Sequence, residues 1–263
     1  MMRNFRFIFT LFKMKLAKQM MYRFSFLGGT FVDSSVFLLW VLMFNTIYSQ
    51  VDSIGGWNKG QMIIFVGTFS LLNAINMTIY FFGVLGIPGK IKNGDLDHYL
   101  TKPINPLLRI TFENINLGSA PLILLSIGII IYGVTLTNIY VSFGTLLLYI
   151  FFISLMAVLY YDLEVILRTI PFFVVSANGI ETLEAAAMDL CMRVPGVLFN
   201  GIFKVLFYFM LPYGIMATIP TQIITSAISG TMIACSIGIV IFFTIFTLVF
   251  WKFGLKHYKS ASS

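Results

Sequence analysis

Few residues of this 263-residue chain have a type and spacing that could do chemistry. Its two histidines, His98 and His257, stand far apart and each beside basic residues. Its two cysteines, Cys191 and Cys235, make neither a disulfide framework nor a metal-ligand cluster. They read as small apolar fillers. No HExxH, no GxSxG and no phosphate loop ending in Lys-Ser/Thr is present. The segment GVLGIPGKIKNG, residues 83–94, is rich in glycine but lacks that ending. The sequence therefore predicts no catalytic residue, no metal ligand and no cofactor held by this chain. Energy for any directed work must come from ions or from another polypeptide.

Two groups of charges remain as candidates. Asp33, followed by Ser34 and Ser35, stands inside a long apolar run. An acid at that depth in a membrane is costly and is by default a functional candidate. It has two readings, a polar group facing a translocation path or dimer seam, and a hydrogen-bonded acid that only joins helices. Asp162, Glu164 and Arg168 stand near the end of another apolar run. A spacing of four puts Glu164 and Arg168 on one helical face, as an ordinary ion pair. Lys204 reads as a side chain snorkelling toward headgroups.

The elements that position these residues follow from composition. Hydrophobic residues make up 59% of the chain and charged ones 10%, against about 25% charged in ordinary soluble domains. Mean hydropathy is +0.93. So much apolar surface cannot be kept from water by a soluble fold of this size. A soluble enzyme, a nucleic-acid-binding domain and a disordered chain are excluded. Runs of about 20 apolar residues, enough to cross a hydrocarbon core, fall at 24–48, 62–87, 117–135, 140–161, 197–219 and 231–251. They must be helices, since open strands leave backbone groups unpaired in lipid. Residues 165–177 are apolar too, but are short and carry Arg168 and Pro171. They read as a continuation of the fourth span or as a re-entrant piece.

Lys and Arg set the orientation. Arg3, Arg6, Lys13, Lys15, Lys18 and Arg23 precede the first span, and Lys90, Lys92, Lys102 and Arg109 follow the second. Arg168 and Arg193 lie between spans four and five, and Lys252, Lys256 and Lys259 close the chain. The alternate loops 49–61, 136–139 and 221–230 hold Lys59 alone. The expected architecture is all-α and integral to the membrane, with six transmembrane helices and both termini cytoplasmic. Residues 4–22 carry Phe5, Ile8, Phe9, Phe12, Leu16 and Met20 at spacings of three and four, with cations mostly off that stripe. They predict an interfacial amphipathic helix rather than a cleaved signal peptide. The whole chain, 1–263, reads as a single permease-like domain.

The loop after span two, residues 88–106, is the most informative. Asn93-Gly94 marks a turn, Asp95 is placed to cap a short helix through Leu100, and Pro103 stops it. Leu96, Tyr99 and Leu100 form an apolar edge that a solvated linker does not need. The expected role of that edge is to press against a partner.

GDLDHYLTKPINPLL, residues 94–108, closely resembles the signature of six-span permeases of the bacterial ABC-2 exporter superfamily, which are related to the drug-exporter permeases. Gly56-Trp57 with Phe65-Val66-Gly67 resembles the family's opening of span two. Arg193-Val194-Pro195 resembles its approach to span five, with Val194 where an aromatic is usual. Leu211-Pro212 and Ile219-Pro220 resemble the paired prolines that end that span. The resemblance implies a permease of the bacterial plasma membrane that exports a substrate. Its partners would be a separate ABC ATPase subunit, which holds ATP and Mg, and a second copy or a related permease. Asp95, Leu96, Asp97, Tyr99, Leu100, Lys102 and Pro103 would belong to a coupling helix seated on the ATPase. Residues 212–229, with Pro212 and Pro220, would form a re-entrant region between spans five and six. Spans one, two and five would line the path at the dimer interface. A secondary transporter or channel would need more intramembrane charge or an inverted repeat, and a membrane enzyme a cluster of His, Asp or Glu. Twenty-eight Phe and fourteen Met suit a hydrophobic or amphiphilic substrate as well as plain lipid-facing packing.

Overall fold

The computed structural model describes residues 13–14, 23–174, 178–225 and 228–258. Among these the chain is built of helices, with no strand beyond one isolated bridge between Ile54 and Trp57. The expected interfacial helix at 4–22 falls, apart from the helical pair Lys13 and Met14, outside the described residues.

In order, the helices are α1 (Arg23–Ile47), α2 (Lys59–Ile79), α3 (Phe81–Val84), α4 (Ile87–Asn93), α5 (Asp97–Leu100), α6 (Pro106–Glu113) and α7 (Ala120–Thr137). They continue with α8 (Phe143–Thr169), α9 (Asn178–Arg193), α10 (Gly201–Val205), α11 (Tyr213–Met216), α12 (Thr218–Ile224) and α13 (Gly230–His257). Among the described residues, five stretches are long and apolar enough to cross a membrane: Gly28–Ile47, Lys59–Ile79, Leu117–Thr137, Phe143–Phe172 and Gly230–His257. A bent pair, Gly201–Met210 and Tyr213–Ile224, makes a sixth if its arms count together.

Local sequence sets the ends of these helices. Asn58 and Gln61 form a capping box at the start of α2, with reciprocal bonds of 3.0 and 2.9 Å. Ser142 and Ser229 cap α8 and α13 by accepting from Thr145 N and Met232 N. The second apolar run does not continue straight to residue 87. Helix α2 stops at Ile79, and Tyr80, at φ −133° and ψ −21°, turns the chain into α3. The fourth run extends the other way, as α8 continues to Thr169 and Ile170–Phe172 adds a 3-10 turn. Of the two readings of residues 165–177, continuation of the helix is therefore observed as far as Phe172.

The fifth run departs most from a straight span. Helix α10 passes into a π turn at Leu206–Met210, and the next arm is rotated by 79°. Pro212 stands at the break, where it has no N–H to offer a continuing helix. The arm before it has a length of about 15 Å, half a hydrocarbon core. Pro220 is in the first turn of α12, where a missing N–H costs nothing.

Helix α2 is the spine. Gly60 and Gly67 face Gly133 and Ile130 of α7 so closely that added Cβ atoms would fall 2.9 Å from Gly133 O and from Ile130 N. Only small residues allow such backbone approach, which holds helices together where lipid supplies no hydrophobic drive. Around this seam lies one apolar core, drawing on α1, α2, α7, α8, α11 and α12. A second, smaller core contains Tyr80, Val84, Ile87, Leu96, Tyr99 and Leu107 with Ile110, Val165 and Trp251.

Candidate functional site

The second core explains the geometry of the loop. Four short helices, α3 to α6, fold into an elbow against the C-terminal part of α8 and against α13. Gly83 of α3 lies directly on the carbonyls of Ile110 and Thr111 of α6, where a Cβ would have no room. Gly94 ends α4 at φ 78°, a left-handed conformation that costs glycine little. Asn105 caps α6 by accepting from Leu108 N at 3.2 Å. Tyr80 donates to Ala157 O at 3.1 Å, and the hydroxyls of Thr111 and Tyr161 are 2.8 Å apart. These bonds attach the elbow to α8.

Two expectations about this loop need correction. Asp95 caps nothing with its side chain, because α5 begins at Asp97 with Leu96 in the cap position. What Asp95 supplies is its carbonyl, which accepts from His98 N at 3.2 Å. Nor is the apolar edge continuous and free. Leu96 and Tyr99, three residues apart, point inward and are buried, and only Leu100 is exposed, at 41%. Burying two large side chains against the end of the bundle outweighs leaving them for a partner. Tyr99 is held on three sides. Its ring lies 4.5 Å from the Arg109 guanidinium and 5.2 Å from the Lys90 ammonium, and its hydroxyl donates to Glu113 at 2.5 Å. Burial and the Glu113 carboxylate push the Tyr99 phenol well above its ordinary value, so it stays a donor. Arg109 also donates to His98 O at 3.3 Å. The outward surface is thus Asp95, His98, Leu100, Thr101, Lys102 and Pro103, with Asp97 half-buried.

The other sequence candidates lie apart from the elbow. Asp33 and Ser34 are half-buried in the middle of α1, and no described residue donates to the Asp33 carboxylate. Around them Phe31, Val32, Leu39 and Leu42 are exposed. Pro212 and Pro220 bracket a buried segment in which Thr218 accepts from Gly196 N at 2.8 Å. Lys204 is exposed, its ammonium 5.7 Å from the Tyr208 ring. Of the two cysteines read as fillers, Cys191 is buried in the larger core, whereas Cys235 on α13 is exposed and fills no core position.

The most concentrated chemistry is a group that the spacing of four showed only in part. Glu164 and Arg168 do pair, at 2.9 Å, but both are buried and a third charge joins them. Glu184 of α9 accepts from the same Arg168 Nη1 at 2.6 Å and from the Tyr213 hydroxyl at 3.3 Å. Burial raises the Glu184 carboxyl above its ordinary value, against the pull of Arg168 and Tyr213. A signal was present in the sequence: Glu184 is in phase with Ala187 and Cys191, the buried stripe of α9. On the outer side of α9, Arg193 pairs with Asp189 and lies 4.8 Å from the Trp40 ring of α1. Asp162, two residues before Glu164 on α8, accepts from Thr244 of α13 at 2.6 Å. Among the described residues no group of His, Cys, Asp and Glu could hold a metal ion.

Comparison with known proteins identifies a family. The model of a family described as ABC-2 family transporter protein covers residues 35–262. No curated protein and no solved structure matches the chain.

Proposed function

The chain belongs to the ABC-2 family of transporter proteins, and from that premise we propose that it is the permease subunit of an ATP-driven exporter. Membership makes it a multi-pass membrane component of a transporter, of a kind generally not catalytic itself. Family members associate in general with an ABC ATPase subunit, and that subunit would bind ATP and Mg. The six apolar segments would cross the bacterial plasma membrane with both termini in the cytoplasm, as the Lys and Arg distribution requires. Residues 1–263 would form one permease domain, with 4–22 along the inner headgroups and 212–229 re-entrant. A second copy or a related permease would complete the path, with Asp33 and Ser34 at the seam. The cargo would be hydrophobic or amphiphilic.

One observation carries this reading. The elbow is clamped from within by Leu96 and Tyr99 and presents a short rigid turn outward. A motor that pushes on a membrane helix needs a stiff part that does not fold away under load. Here Leu100, His98, Lys102 and Pro103 would touch the ATPase, while Leu96, Tyr99 and Arg109 would transmit the push to α8.

The test is co-purification of the ATPase subunit with the permease, alongside substrate-stimulated ATP hydrolysis. Leu100→Ala with Lys102→Ala should weaken capture by about thirtyfold, the effect of losing about 2 kcal/mol at an interface centre. Folding should be unaffected. Undiminished capture and stimulation would remove the elbow from the coupling path.

A further inference from the structure

A cavity of 350 Å3 lies between the C-terminal half of α2, the C-terminal part of α8 and α9; Phe81 of the elbow is among its lining residues and Asp33 is not. We infer that it binds a monovalent organic cation with an apolar body, its charged, hydrogen-bond-donating head set between Asn76, Glu164 and Glu184. The claim concerns binding and stands apart from the coupling reading.

The charge on its walls is unbalanced. Glu164 and Glu184 share Arg168, and among the described residues no other Lys or Arg lines the space. Glu181, at the mouth, adds another acid, and Asp189 is already taken by Arg193. A buried carboxylate without a full counter-charge is expensive, and a bound cation removes that cost.

Asn76 makes the second, independent point. It is 1% exposed, lines the cavity, and its Oδ1 has no hydrogen-bond partner. A buried carbonyl oxygen left unpaired costs about 1–3 kcal/mol, so this atom marks the place of an absent donor. An ammonium or amino head would give a bond to Asn76 Oδ1 and a charge-assisted one to either carboxylate. Arg168 Nε is also buried without a hydrogen-bond partner.

The remaining walls suit the rest of such a molecule. Phe69, Phe81, Met77, Met188 and Met192 give a soft apolar lining. Methionine adapts to irregular shapes and aromatic faces attract cations. The volume falls within the range of small-molecule sites. A divalent metal ion fits poorly, since Arg168 occupies the space between the acids.

The test uses the purified full-length chain in detergent, without the ATPase, and so does not depend on coupling. The probe is ethidium, a rigid aromatic monocation with two amino donors. Its anionic counterpart is anilinonaphthalene sulfonate, with protein-free micelles subtracted. The parent should saturate with ethidium and not with the anion. Glu184→Gln should weaken ethidium at least about tenfold, the size of one buried charge-assisted contact. Should that variant fail to fold, Ala185→Trp decides the matter. Ala185 is exposed on α9 and borders the cavity, so an indole there fills the space without touching the charges and should abolish binding. Ethidium binding that survives Ala185→Trp, equal binding of the two dyes, or no ethidium binding by the parent would each overturn the assignment.

Discussion

Helices α1 and α2 are both apolar enough to span a membrane, yet they are used in opposite ways. In α2, 78% of the apolar window is buried, and in α1 only 17%. The difference lies in small residues and what they meet. Gly60 and Gly67 of α2 rest on the backbone of α7, whereas a Cβ added at Gly28 or Gly29 of α1 would meet nothing within 4 Å among the described residues. Hydropathy places a helix in lipid, and small residues decide whether it joins a protein core there. The elbow repeats the contrast within one turn. Leu96 and Tyr99 are built into the molecule, while Leu100 faces out. In both places the buried member serves as scaffold and the exposed member is left for another surface.

The sharpest way to break the contrast is to put the same side chain on both glycine pairs. Gly67→Leu forces a branched chain against Ile130 N and should cost more than about 3 kcal/mol. The expected outcome is loss of monodisperse protein in size-exclusion chromatography. Gly28→Leu should elute like the parent. An intact Gly67→Leu protein would show that α2 and α7 are not in backbone contact.

Within the elbow, Leu96→Ala should cost about 2–5 kcal/mol, as large-to-small changes in a core do. It should appear as a lowered unfolding midpoint. Leu100→Ala, on the outward side, should stay within about 0.5 kcal/mol of the parent. Tyr99→Phe keeps the ring and removes only the bond to Glu113, so about 1.5–3 kcal/mol is expected, the range for a hydrogen bond to a charged group. Proteolysis of the elbow should follow the order Leu96→Ala, Tyr99→Phe, Leu100→Ala.

The smallest effect on the isolated chain is expected at Asp33. With no described donor beside it, Asp33→Leu should leave the unfolding of the single chain unchanged and lower the dimer fraction measured by cross-linking. An unchanged dimer fraction would make Asp33 incidental. The orientation beneath all of these is checked by a lone cysteine at Ser53 after Cys191 and Cys235 are replaced. It should label from outside the cell only.

Much of the architecture was legible because lipid imposes it. Apolar runs gave the helices, while the fifth run, read as one span over 197–219 with Pro212 and Pro220 at its end, is broken at Pro212. The size of that break was not legible, since a π turn and a 79° bend depend on how Thr218 and Gly196 pack. At the elbow the motif was visible but its facing was not. Leu96, Tyr99 and Leu100 look alike in sequence, and the core into which Leu96 and Tyr99 turn is completed by Val165 and Trp251, which arrive from distant helices. The Glu164–Arg168 pair was read from local spacing, which cannot reveal that Glu184 comes to the same guanidinium. Long-range charge pairing leaves no local trace beyond an acid in phase with an apolar stripe.

The central claim is that the elbow has a scaffold face and a docking face. Photo-cross-linking tests it most directly, with a photoreactive residue placed at Leu100 in one permease and at Leu96 in another, each co-expressed with the ATPase subunit. The account predicts a permease–ATPase adduct from position 100 and none from position 96. An adduct from position 96, or none from position 100 in an intact complex, would contradict it.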